Sequence, residues 1–338
     1  MTKSPFIKLL IAGELNQDFI IDLSGKPAND ISGGSLLYAA AGARMWNEDI
    51  GLISRTGNNY PQEWISSIEK HGLDTSGILQ LSQSYDSRRF YYWVNLEKCV
   101  TDNPVAGYAK FGLTFPKELL DYFPQSANTT EKMWKNIAPR LNPAFPHEYL
   151  DINGAHLCPI NLMTHIKLSA LLQQGVINTI TVSPSDDYMN PPFMAQLSSV
   201  IKDISAFFPT ETQIRSLFSG RSKDLWEMAE ALAAMGCPLI VIQRGEKGYW
   251  LFDAHRKQKI VLPMYPAHWV DPTGMNDVFA GAFFSEYKNS YDPTQALIAG
   301  NASASLAVEG TGPFFCSNSL PGLGLARRDV LQSMLKIV

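Results

Sequence analysis

The sequence predicts an α/β protein in which helices cover both faces of a doubly wound, mainly parallel sheet. Short apolar runs alternate with amphipathic segments over most of the 338 residues, and this alternation is typical of parallel strands connected by helices. Hydrophobic residues form 45% of the chain, which is enough for a well-buried core. One aromatic, β-prone region breaks the alternation and predicts a small additional sheet.

The apolar runs predict six buried strands. These strands are Ile7–Ala12, Ile50–Ser54, Ala155–Leu157, Thr179–Val182, Ser205–Phe208 and Leu239–Gln243. The amphipathic segments predict seven helices, several of which begin at Ser, Thr, Asp or Pro. These helices are Ser35–Met45, Pro61–His71, Met163–Gln174, Thr210–Phe218, Ser222–Met235, Asp277–Tyr287 and Pro293–Glu309. Phe314–Leu325 is predicted as a surface loop before a closing helix at Arg327–Lys336.

The small sheet is predicted from two β-prone segments, Gln17–Asp22 and Ser87–Asn95. It would project from the main body as a lid formed from about residues 14–30 and 86–111, and its apolar face would suit a homodimer contact. The same pattern also fits strands within the main sheet. Residues 112–150 are rich in Pro, Asn and Phe and predict an irregular insertion around short helices.

Composition favours a small-molecule partner in a reducing compartment. The net charge of −4 gives no broad attraction to nucleic acid or to anionic membranes. The apolar run Phe6–Ala12 contains Lys8 and is followed at once by Glu14, so it predicts neither a signal peptide nor a membrane span. A cytoplasmic location is expected, and residues 1–338, which contain no long linker, are interpreted as a single domain. The four cysteines form no C-x-x-C pair and are predicted to be buried free thiols: Cys99, Cys158, Cys237 and Cys316.

The stretch Asp271-Pro-Thr-Gly-Met-Asn-Asp277 carries the clearest chemical signal. It places the carboxylate of Asp277 on the first turn of a helix, beside a bend that contains Gly274. Such a bend turns backbone N–H groups toward one point and the helix adds its positive end, so a phosphate oxygen would be stabilised there. A carboxylate beside that anion fits removal of a proton from a substrate hydroxyl. The pattern predicts phosphoryl transfer to an alcohol, although the same residues also fit an ordinary capped helix start.

Two segments near the N-terminus predict a site for the acceptor alcohol. Asn16 and Asp18 follow the first strand, where a carboxylate can accept hydrogen bonds from two sugar hydroxyls. Gly33 and Gly34 precede an apolar helix, and paired glycines let a ligand approach the backbone. Polar turns and turn-forming glycines without any ligand give the same patterns.

The segment Ile242–Gly248 follows an apolar strand and predicts either a phosphate-binding loop or a β-hairpin turn. In the first case its glycines would pass under a nucleotide while Arg244 or Lys247 supplies a positive charge. The chain contains no G-x-x-x-x-G-K-[ST] loop and no G-x-G-x-x-G after a strand, which disfavours P-loop enzymes and standard dinucleotide-dependent dehydrogenases. His156, beside an apolar strand, is interpreted chiefly as a core or edge residue.

Taken in order from about Ile7 to Gly312, these motifs resemble the ribokinase-like or PfkB carbohydrate kinase family. The resemblance implies a ribokinase-like core with a small β lid, ATP as the phosphoryl donor with Mg²⁺, and an alcohol of a sugar or nucleoside as the acceptor. It also implies that Asp277 is the catalytic base and that the backbone of Gly274, Met275 and Asn276 forms the anion hole.

The resemblance further assigns three groups of binding residues. The acceptor-holding group is Asn16, Asp18, Gly33, Gly34 and Tyr38. The group around the nucleotide and its metal is Thr210, Gln213, Arg244, Gly245, Gly248 and Asn301. The third group resembles the loops that hold a monovalent cation, with K⁺ as the candidate ion: Asp271, Thr273 and the Gly310-Thr-Gly312 turn.

Three departures from the family pattern affect these expectations. Gly-Met-Asn-Asp replaces the usual Gly-Ala-Gly-Asp, and Asn276 adopts a left-handed backbone less freely than glycine, so a narrower anion hole is expected. Tyr38 replaces an Asn that commonly bonds the sugar, which predicts that an acceptor ring such as a nucleobase stacks on Tyr38. Thr210-Glu-Thr-Gln213 replaces Asn-x-x-Glu and removes a carboxylate associated with Mg²⁺ placement, although Glu211 is nearby.

The leading hypothesis is therefore an ATP-dependent kinase that phosphorylates a hydroxyl of a sugar or nucleoside. The alternative is a catalytically weak sugar- or nucleoside-binding protein on the same fold, which the changes at Asn276 and Thr210–Gln213 motivate. A dehydrogenase is retained only because a doubly wound sheet is generic.

Overall fold

In the computed structural model of the protein, residues 8–124, 149, 152–174, 177–320 and 322–338 are described. The strands in chain order are β1 (Leu9–Ala12), β2 (Asn16–Ile21), β3 (Pro27–Gly33), β4 (Ile50–Thr56), β5 (Asp74–Gln80), β6 (Arg88–Asn95), β7 (Lys98–Val100), β8 (Gly154–Leu157), β9 (Thr179–Val182), β10 (Ala206–Phe207), β11 (Leu239–Gln243), β12 (Tyr249–Asp253), β13 (Gln258–Leu262) and β14 (Lys336–Ile337). The helices are α1 (Ser35–Arg44), α2 (Gln62–Lys70), α3 (Pro104–Lys110), α4 (Leu162–Gln173), α5 (Met194–Ile201), α6 (Glu211–Leu217), α7 (Leu225–Ala233), α8 (Met275–Ser290), α9 (Pro293–Ala307) and α10 (Leu323–Met334).

The large sheet has the described strand order β14-β13-β12-β11-β10-β9-β8-β1-β4-β5. The strands from β11 to β5 in this order run parallel, whereas β12, β13 and β14 extend one side in antiparallel pairing. Strand β1 is buried at every residue and pairs with β4 on one side and β8 on the other. Ligands bind beyond the carboxyl ends of the strands in such sheets, so the residues after β1 lie at the middle of the edge where a site is expected.

The six predicted buried strands and the seven predicted helices are all confirmed, with small differences at their ends. The closing helix is corrected: α10 begins at Leu323, inside the segment predicted as a loop, because Gly322 with φ 84° begins it in place of a polar capping residue. The sequence patterns missed β5, a polar edge strand, and the hairpin of β12 and β13. In that hairpin Arg244–Gly248 forms the turn, which was one of the two alternatives for this segment.

The small sheet has the strand order β3-β2-β6-β7, with β2 and β6 parallel and the other pairs antiparallel. Its two predicted strands are therefore outside the main sheet, and the alternative placement within the main sheet is wrong. The small sheet and α3 have a core of their own, formed by Phe19, Ile21, Phe90, Tyr92, Tyr108 and Leu119. Val94, Val105 and Phe111 are exposed apolar residues, and dimer formation through this sheet stays a prediction.

Helices α1 and α8 pack with their backbones in close contact at two glycines. A Cβ atom on Gly42 would lie 2.1 Å from the carbonyl oxygen of Val278, and one on Gly281 would lie 1.9 Å from that of Ala39. Only a hydrogen in place of a side chain permits this approach. The packing holds α8 against α1 and, with the ring of Tyr38 on Gly274, fixes the start of α8 at the edge where the site is expected.

Other expectations are settled in part. The four cysteines are free, and all but Cys99 are buried. No helix in the described part of the chain is long and apolar enough to span a membrane. The predicted insertion at residues 112–150 lies mostly outside the described residues, although residues 112–124 do contain a short 3-10 turn at Lys117–Leu119.

Candidate active site

The first turn of α8 has no side-chain cap. Its N-cap is Gly274, which has a left-handed backbone with φ 72° and supplies no capping oxygen. The N–H of Met275 donates to the carbonyl of Pro272 at 3.2 Å, whereas the N–H groups of Asn276 and Asp277 have no partner among the described residues. These two N–H groups, at the positive end of a 16-residue helix, form the anion site that the sequence predicts. Met275 contributes no free N–H to it.

Gly274 is needed at this bend for its backbone and for the space around it. A Cβ atom would lie 2.1 Å from the ring of Tyr38, and the positive φ itself favours glycine. Asn276 does not share the positive φ, because it already lies inside the helix. The expectation that a left-handed Asn276 narrows the anion hole is therefore wrong, although its side-chain oxygen Oδ1 is buried without a partner among the described residues.

Asp277 is half-buried and lies among other acidic side chains. Burial raises its pKa to about 8, and the charges of Glu14 and Asp18 add to the effect. A carboxyl group with a pKa near neutrality can exchange a proton with a substrate hydroxyl at physiological pH. Its position beside the free N–H groups is the arrangement that phosphoryl transfer to an alcohol requires.

Asp18 is fully buried at the start of β2. Its Oδ2 accepts a hydrogen bond from the N–H of Gly34 at 3.3 Å, whereas Oδ1 has no partner among the described residues. Burial raises its pKa to about 7, while the Gly34 N–H and then the Arg89 charge oppose that rise. A buried carboxylate oxygen without a partner is the kind of group that a substrate hydroxyl satisfies.

Gly33 and Gly34 leave space that other atoms of the protein occupy. A Cβ atom on Gly33 would lie 1.8 Å from Oδ2 of Asp18, and one on Gly34 would lie 2.4 Å from the carbonyl oxygen of Glu14. Gly34 also has φ 97° at the N-cap of α1. The contacts therefore assign both glycines to holding Asp18 against α1, and the expected close approach of a ligand to their backbone is not what requires them.

A half-buried ion pair next to Asp18 was missed by the sequence patterns. Nη2 of Arg89 lies 3.7 Å from Oε2 of Glu14, and their side chains are 21% and 16% exposed. Asn16, also buried, forms a side-chain hydrogen bond with Glu14. Arg89 is also the register partner of Asp18 across β2 and β6. Asn16 thus acts through Glu14, and Arg89 is the cation among the acids of this site.

The inner face of β6 contributes three residues to the site. Along β6, buried aromatic residues that fill the small sheet's core alternate with residues that face Asp18 and α8. The half-buried Tyr91 has a pKa raised well above its ordinary value by burial and then by the charge of Asp18. The period-two alternation in Arg88–Asn95 is the sequence signal that could have identified this face. Its members are Arg89, Tyr91 and Trp93.

Tyr38 does not offer the stacking surface that the sequence predicts. The residue is only 3% exposed, and its ring lies directly on Gly274. Its hydroxyl is buried without a partner among the described residues, and burial followed by the charge of Asp18 raises its pKa well above the ordinary value. The ring supports the bend before α8, so the predicted stacking of an acceptor ring on Tyr38 is wrong.

Asp271 is held in a second polar cluster just before α8. Its Oδ1 accepts the N–H of Thr273 at 2.9 Å, and the nearby hydroxyls of Thr273 and Thr311 oppose the rise in its pKa. The other oxygen, Oδ2, is buried without a partner among the described residues, and burial raises the pKa of Asp271 to about 6. The structure thus brings Asp271 and Thr273 together with the Gly310-Thr-Gly312 turn, as the resemblance implies.

On the nucleotide side, Thr210 and Gln213 cap helix α6. The N–H of Gln213 donates to Oγ1 of Thr210 at 3.1 Å, and the N–H of Thr210 donates to Oε1 of Gln213 at 2.9 Å. The amide nitrogen Nε2 of Gln213 donates to Asp186 Oδ1 at 2.8 Å. The carboxylate that the sequence lacks at position 213 is therefore supplied beside it by Asp186, on the loop after β9.

Arg244 is already engaged, whereas Gly245 is open. Nε of Arg244 donates to Glu211 Oε2 at 2.8 Å, and its guanidinium lies 4.3 Å from the centre of the Trp250 ring. These contacts do not support the expected role of Arg244 as a free cation for a phosphate. Gly245 has φ 60°, and a Cβ atom there would meet nothing within 4 Å, so its backbone faces open space.

Gly248 and Asn301 serve packing. A Cβ atom on Gly248 would lie 2.2 Å from the carbonyl oxygen of Leu262. Asn301 is fully buried: its Oδ1 accepts the N–H of Tyr265 at 3.0 Å, and its Nδ2 donates to the carbonyl of Pro263 at 2.8 Å. Both ends of the amide are occupied, so direct contact between Asn301 and a nucleotide finds no support in its surroundings.

His156 lies within β8 and is fully buried. Its Nδ1 is 2.9 Å from the hydroxyl of Thr181, and burial lowers its pKa to about 3. A neutral imidazole inside the sheet cannot act on a substrate at the edge, so the interpretation of His156 as a core residue agrees with its position.

Comparison with known proteins decides the family. A family model described as pfkB family carbohydrate kinase matches residues 118–320. The chain belongs to this family. As a pfkB-family kinase it phosphorylates a hydroxyl of a sugar or nucleoside, and the dehydrogenase alternative is wrong.

Relatives of this pfkB-family kinase include nucleoside kinases. A cytidine kinase of Thermococcus kodakarensis is 25% identical over 284 residues, which cover 83% of this chain and 88% of the relative. A Burkholderia thailandensis nucleoside kinase in complex with inosine has a TM-score of 0.69 at 16% identity, covering 96% of this chain and 99% of that one. A putative ribokinase II from E. coli in complex with ATP and Mg²⁺ has a TM-score of 0.66 at 18% identity, with the same coverage. These likenesses confirm the ribokinase-like fold.

Proposed function

We propose that this kinase transfers the γ-phosphoryl group of ATP to a hydroxyl of a nucleoside or nucleoside-like sugar, with Asp277 as the general base. The observation that carries the proposal is the first turn of α8, where the carboxylate of Asp277 and two unpaired N–H groups occupy one site. Asp18, buried and unpaired at Oδ1, lies close enough to Asp277 to affect its pKa. A hydroxyl held by Asp18 would be within the reach of both groups.

Each group of the site has a separate role in the reaction. Asp18 accepts hydrogen bonds from acceptor hydroxyls and orients the sugar. Asp277, when ionised, accepts the proton of the attacking hydroxyl as the hydroxyl oxygen forms the new bond to phosphorus and the bond from that phosphorus to the bridging oxygen of the leaving ADP breaks. The N–H groups of Asn276 and Asp277 donate to the oxygens of the transferred group, where negative charge is concentrated. When bound, ATP supplies the phosphoryl group and Mg²⁺ neutralises its oxygens.

The residues present fit these ligands. The open backbone at Gly245 and the uncapped α8 turn suit the phosphates of ATP. Asp186 is exposed beside Gln213. Its carboxylate is suited to hold Mg²⁺ through a bound water molecule, because Mg²⁺ usually binds phosphates, waters and one or two carboxylates. The unpartnered Oδ2 of Asp271 suits a monovalent cation such as K⁺. The complex of the E. coli protein with ATP and Mg²⁺ supports ATP and Mg²⁺ as the ligands.

The acceptor assignment rests on the inner face of β6. Tyr91 is half-buried and faces Asp18, so its ring takes the stacking role that the sequence gives to Tyr38. The small sheet then acts as a lid over the acceptor. The names of the cytidine kinase and the inosine-bound nucleoside kinase support a nucleoside acceptor.

The test is a screen of ADP release with ATP and Mg²⁺ over cytidine, uridine, adenosine, inosine, ribose, fructose and glucose. We expect steady ADP release with at least one nucleoside and little with hexoses. Calorimetry on the same panel tests the second candidate function, a binding protein, which the loss of a carboxylate at Gln213 favours. Tight nucleoside binding without ADP release would establish the binder and refute the kinase mechanism, whereas a preference for hexoses would refute the acceptor assignment alone.

A further inference from the structure

Two hydrogen bonds join the small sheet to the segment before α8. In the backbone, the N–H of Leu23 donates to the carbonyl of Val270 at 3.0 Å. In the side chains, Nε1 of Trp93 donates to Oγ1 of Thr273 at 2.8 Å across 180 residues of sequence. Both bonds end on the segment that leads into Gly274, so the anion site is attached to the small sheet.

Two ion pairs between the small sheet and the rest of the protein are weaker, and the 2.8 Å bond between the hydroxyls of Ser32 and Tyr60 ends on the loop after β4 and not on the segment before α8. Arg89 and Glu14 are 3.7 Å apart, and Lys247 and Glu97 are 3.8 Å apart with mostly exposed side chains. Exposed ion pairs contribute little to stability because water and salt screen them. The bond from the Trp93 indole is short and half-buried, and it ends on the buried hydroxyl of Thr273. It is therefore a stronger polar connection than either ion pair.

The chemistry of the indole fixes the direction of this connection. Trp93 can only donate, so the hydroxyl of Thr273 must accept from it and is free to donate its own proton to Asp271. Asp271 accepts the N–H of Thr273 at 2.9 Å, and the nearby Thr273 hydroxyl opposes the rise in the pKa of Asp271. Thr273 is thus held at its hydroxyl by the indole and at its backbone by the carboxylate.

Thr273 is also the residue before the left-handed bend at Gly274. Gly274 follows it with φ 72°, and the free N–H groups of Asn276 and Asp277 begin within the next turn. A rotation of the peptide after Thr273 would change where those N–H groups point. Thr273 is therefore the point at which a contact from the small sheet can set the geometry of the anion site.

We propose that Trp93 is a positioning residue for phosphoryl transfer, which fixes the Asp271–Gly274 segment through Thr273 only while the small sheet lies against the large one. Opening of the small sheet removes the indole donor and releases Thr273. The anion site is then complete only when the acceptor is covered. The inference rests on the proposed function, because it assigns Trp93 to the step that Asp277 and its neighbouring N–H groups carry out.

The test compares Trp93→Phe with a control that loses the same kind of bond elsewhere. Trp46 provides the control, because its Nε1 donates to Ser303 Oγ at 2.8 Å just after the C-terminal end of α1, whereas the site lies at the N-terminal end of that helix. We expect Trp93→Phe to lower kcat about five- to tenfold with the acceptor KM within about twofold, because the lost bond acts on the transferred group. Trp46→Phe should leave both constants unchanged.

Thr273 variants and hydrogen exchange separate positioning from simple destabilisation. Thr273→Ser keeps the hydroxyl that accepts the indole bond, so its kcat should fall less than that of Thr273→Val. Thr273→Val should match Trp93→Phe, and the double variant of Trp93→Phe with Thr273→Val should be no worse than either. Amide exchange of residues 270–277 in the unliganded protein should rise in Trp93→Phe and not in Trp46→Phe. Equal exchange in the two Trp variants, or additive losses in the double variant, would overturn the proposal. Because exchange needs no turnover, this test remains informative if the chain proves to be only a binder.

Discussion

The two sides of the proposed site differ in whether the polar side chains predicted there have hydrogen-bond partners within the protein. On the acceptor side, Oδ1 of Asp18, the hydroxyl of Tyr38 and Oδ2 of Asp271 are buried without partners among the described residues. On the nucleotide side, the amides of Gln213 and Asn301 are fully occupied by the protein itself. Unpaired polar groups cost stability when buried, so Oδ1 of Asp18 marks a place where a ligand is expected to complete the structure. The nucleotide side also has such an atom, Oε1 of Gln243 beside Arg244.

The nucleotide side therefore presents backbone, while the acceptor side presents side chains. The open Gly245 and the uncapped turn of α8 offer N–H groups to phosphates. Side-chain recognition is concentrated around Asp18, where it can distinguish one alcohol from another. Changes at residues that the protein itself satisfies, such as Asn301, should affect turnover less than changes at Asp18 or Asp277, and the following predictions test that difference.

The largest effect is expected for Asp277→Asn. Loss of the general base should lower kcat by about 10³-fold or more, whereas the acceptor dissociation constant should change little because the amide has the same shape. Steady-state ADP release and acceptor calorimetry measure the two quantities. A variant with parental turnover would remove Asp277 from the mechanism.

Asp277→Asn should also be more stable than the parent protein, and the difference in stability should be larger at high pH. Because burial raises the folded-state pKa of Asp277 to about 8 from an ordinary value of 3.8, ionisation of this group favours the unfolded state. Its stabilising, protonated form is lost as the pH rises through the folded-state value. Asp277→Asn should therefore raise Tm more at pH 9 than at pH 5, and equal shifts at both values would contradict the raised pKa.

A smaller effect is expected for Glu14→Gln. Removing the Glu14 charge makes ionisation of Asp277 easier, so the ascending limb of the pH profile of kcat/KM should move to lower pH. Burial and then the charge of Asp18, which also raise the pKa of Asp277, remain in place in this variant. Tyr38, Tyr91 and Cys158 also face Asp277. Glu48→Gln, at an exposed ion pair with Arg44, is the control and should leave the profile unchanged. A shift to higher pH in Glu14→Gln would contradict the electrostatic assignment.

The sequence predicted the elements of the acceptor side better than their contacts. Local periodicity was sufficient for the strands and helices, and the Gly274–Asp277 pattern was sufficient for the anion site. Orientation was harder, because it depends on how distant elements pack. Tyr38 occupies one turn of an apolar helix, and only the approach of α8 to α1 decides that its ring lies on Gly274.

On the nucleotide side, the sequence predicted residues whose roles are structural. Asn301 and Gly248 lie where a nucleotide was expected, yet each is explained by the backbone of residues 262–265. A polar residue in a pattern does not reveal whether its partner is a ligand or a carbonyl group far away in the sequence. The inner face of β6 shows the reverse case, since its alternation was visible but the pattern left open whether it belongs to the small sheet or to the main one.

The smallest effect on turnover is expected for Asn301→Ala. Both amide ends bond the backbone of Pro263 and Tyr265, so their loss should lower Tm by about 2 to 8 °C. The KM for ATP should stay within about twofold, because no ligand contact is removed. Thermal unfolding and ATP titration of the rate measure these outcomes.

Gly245→Ala, on the same side of the site, should affect the KM for ATP more than Tm, which is the opposite of the effect expected for Asn301→Ala. The new methyl would enter open space in a loop with φ 60°, so it should obstruct the phosphates and raise the KM for ATP while changing Tm less than Asn301→Ala does. If instead Asn301→Ala raised this KM tenfold at an unchanged Tm, Asn301 would contact the nucleotide. The nucleotide side would then resemble the acceptor side, because it too would recognise its ligand through a buried side chain.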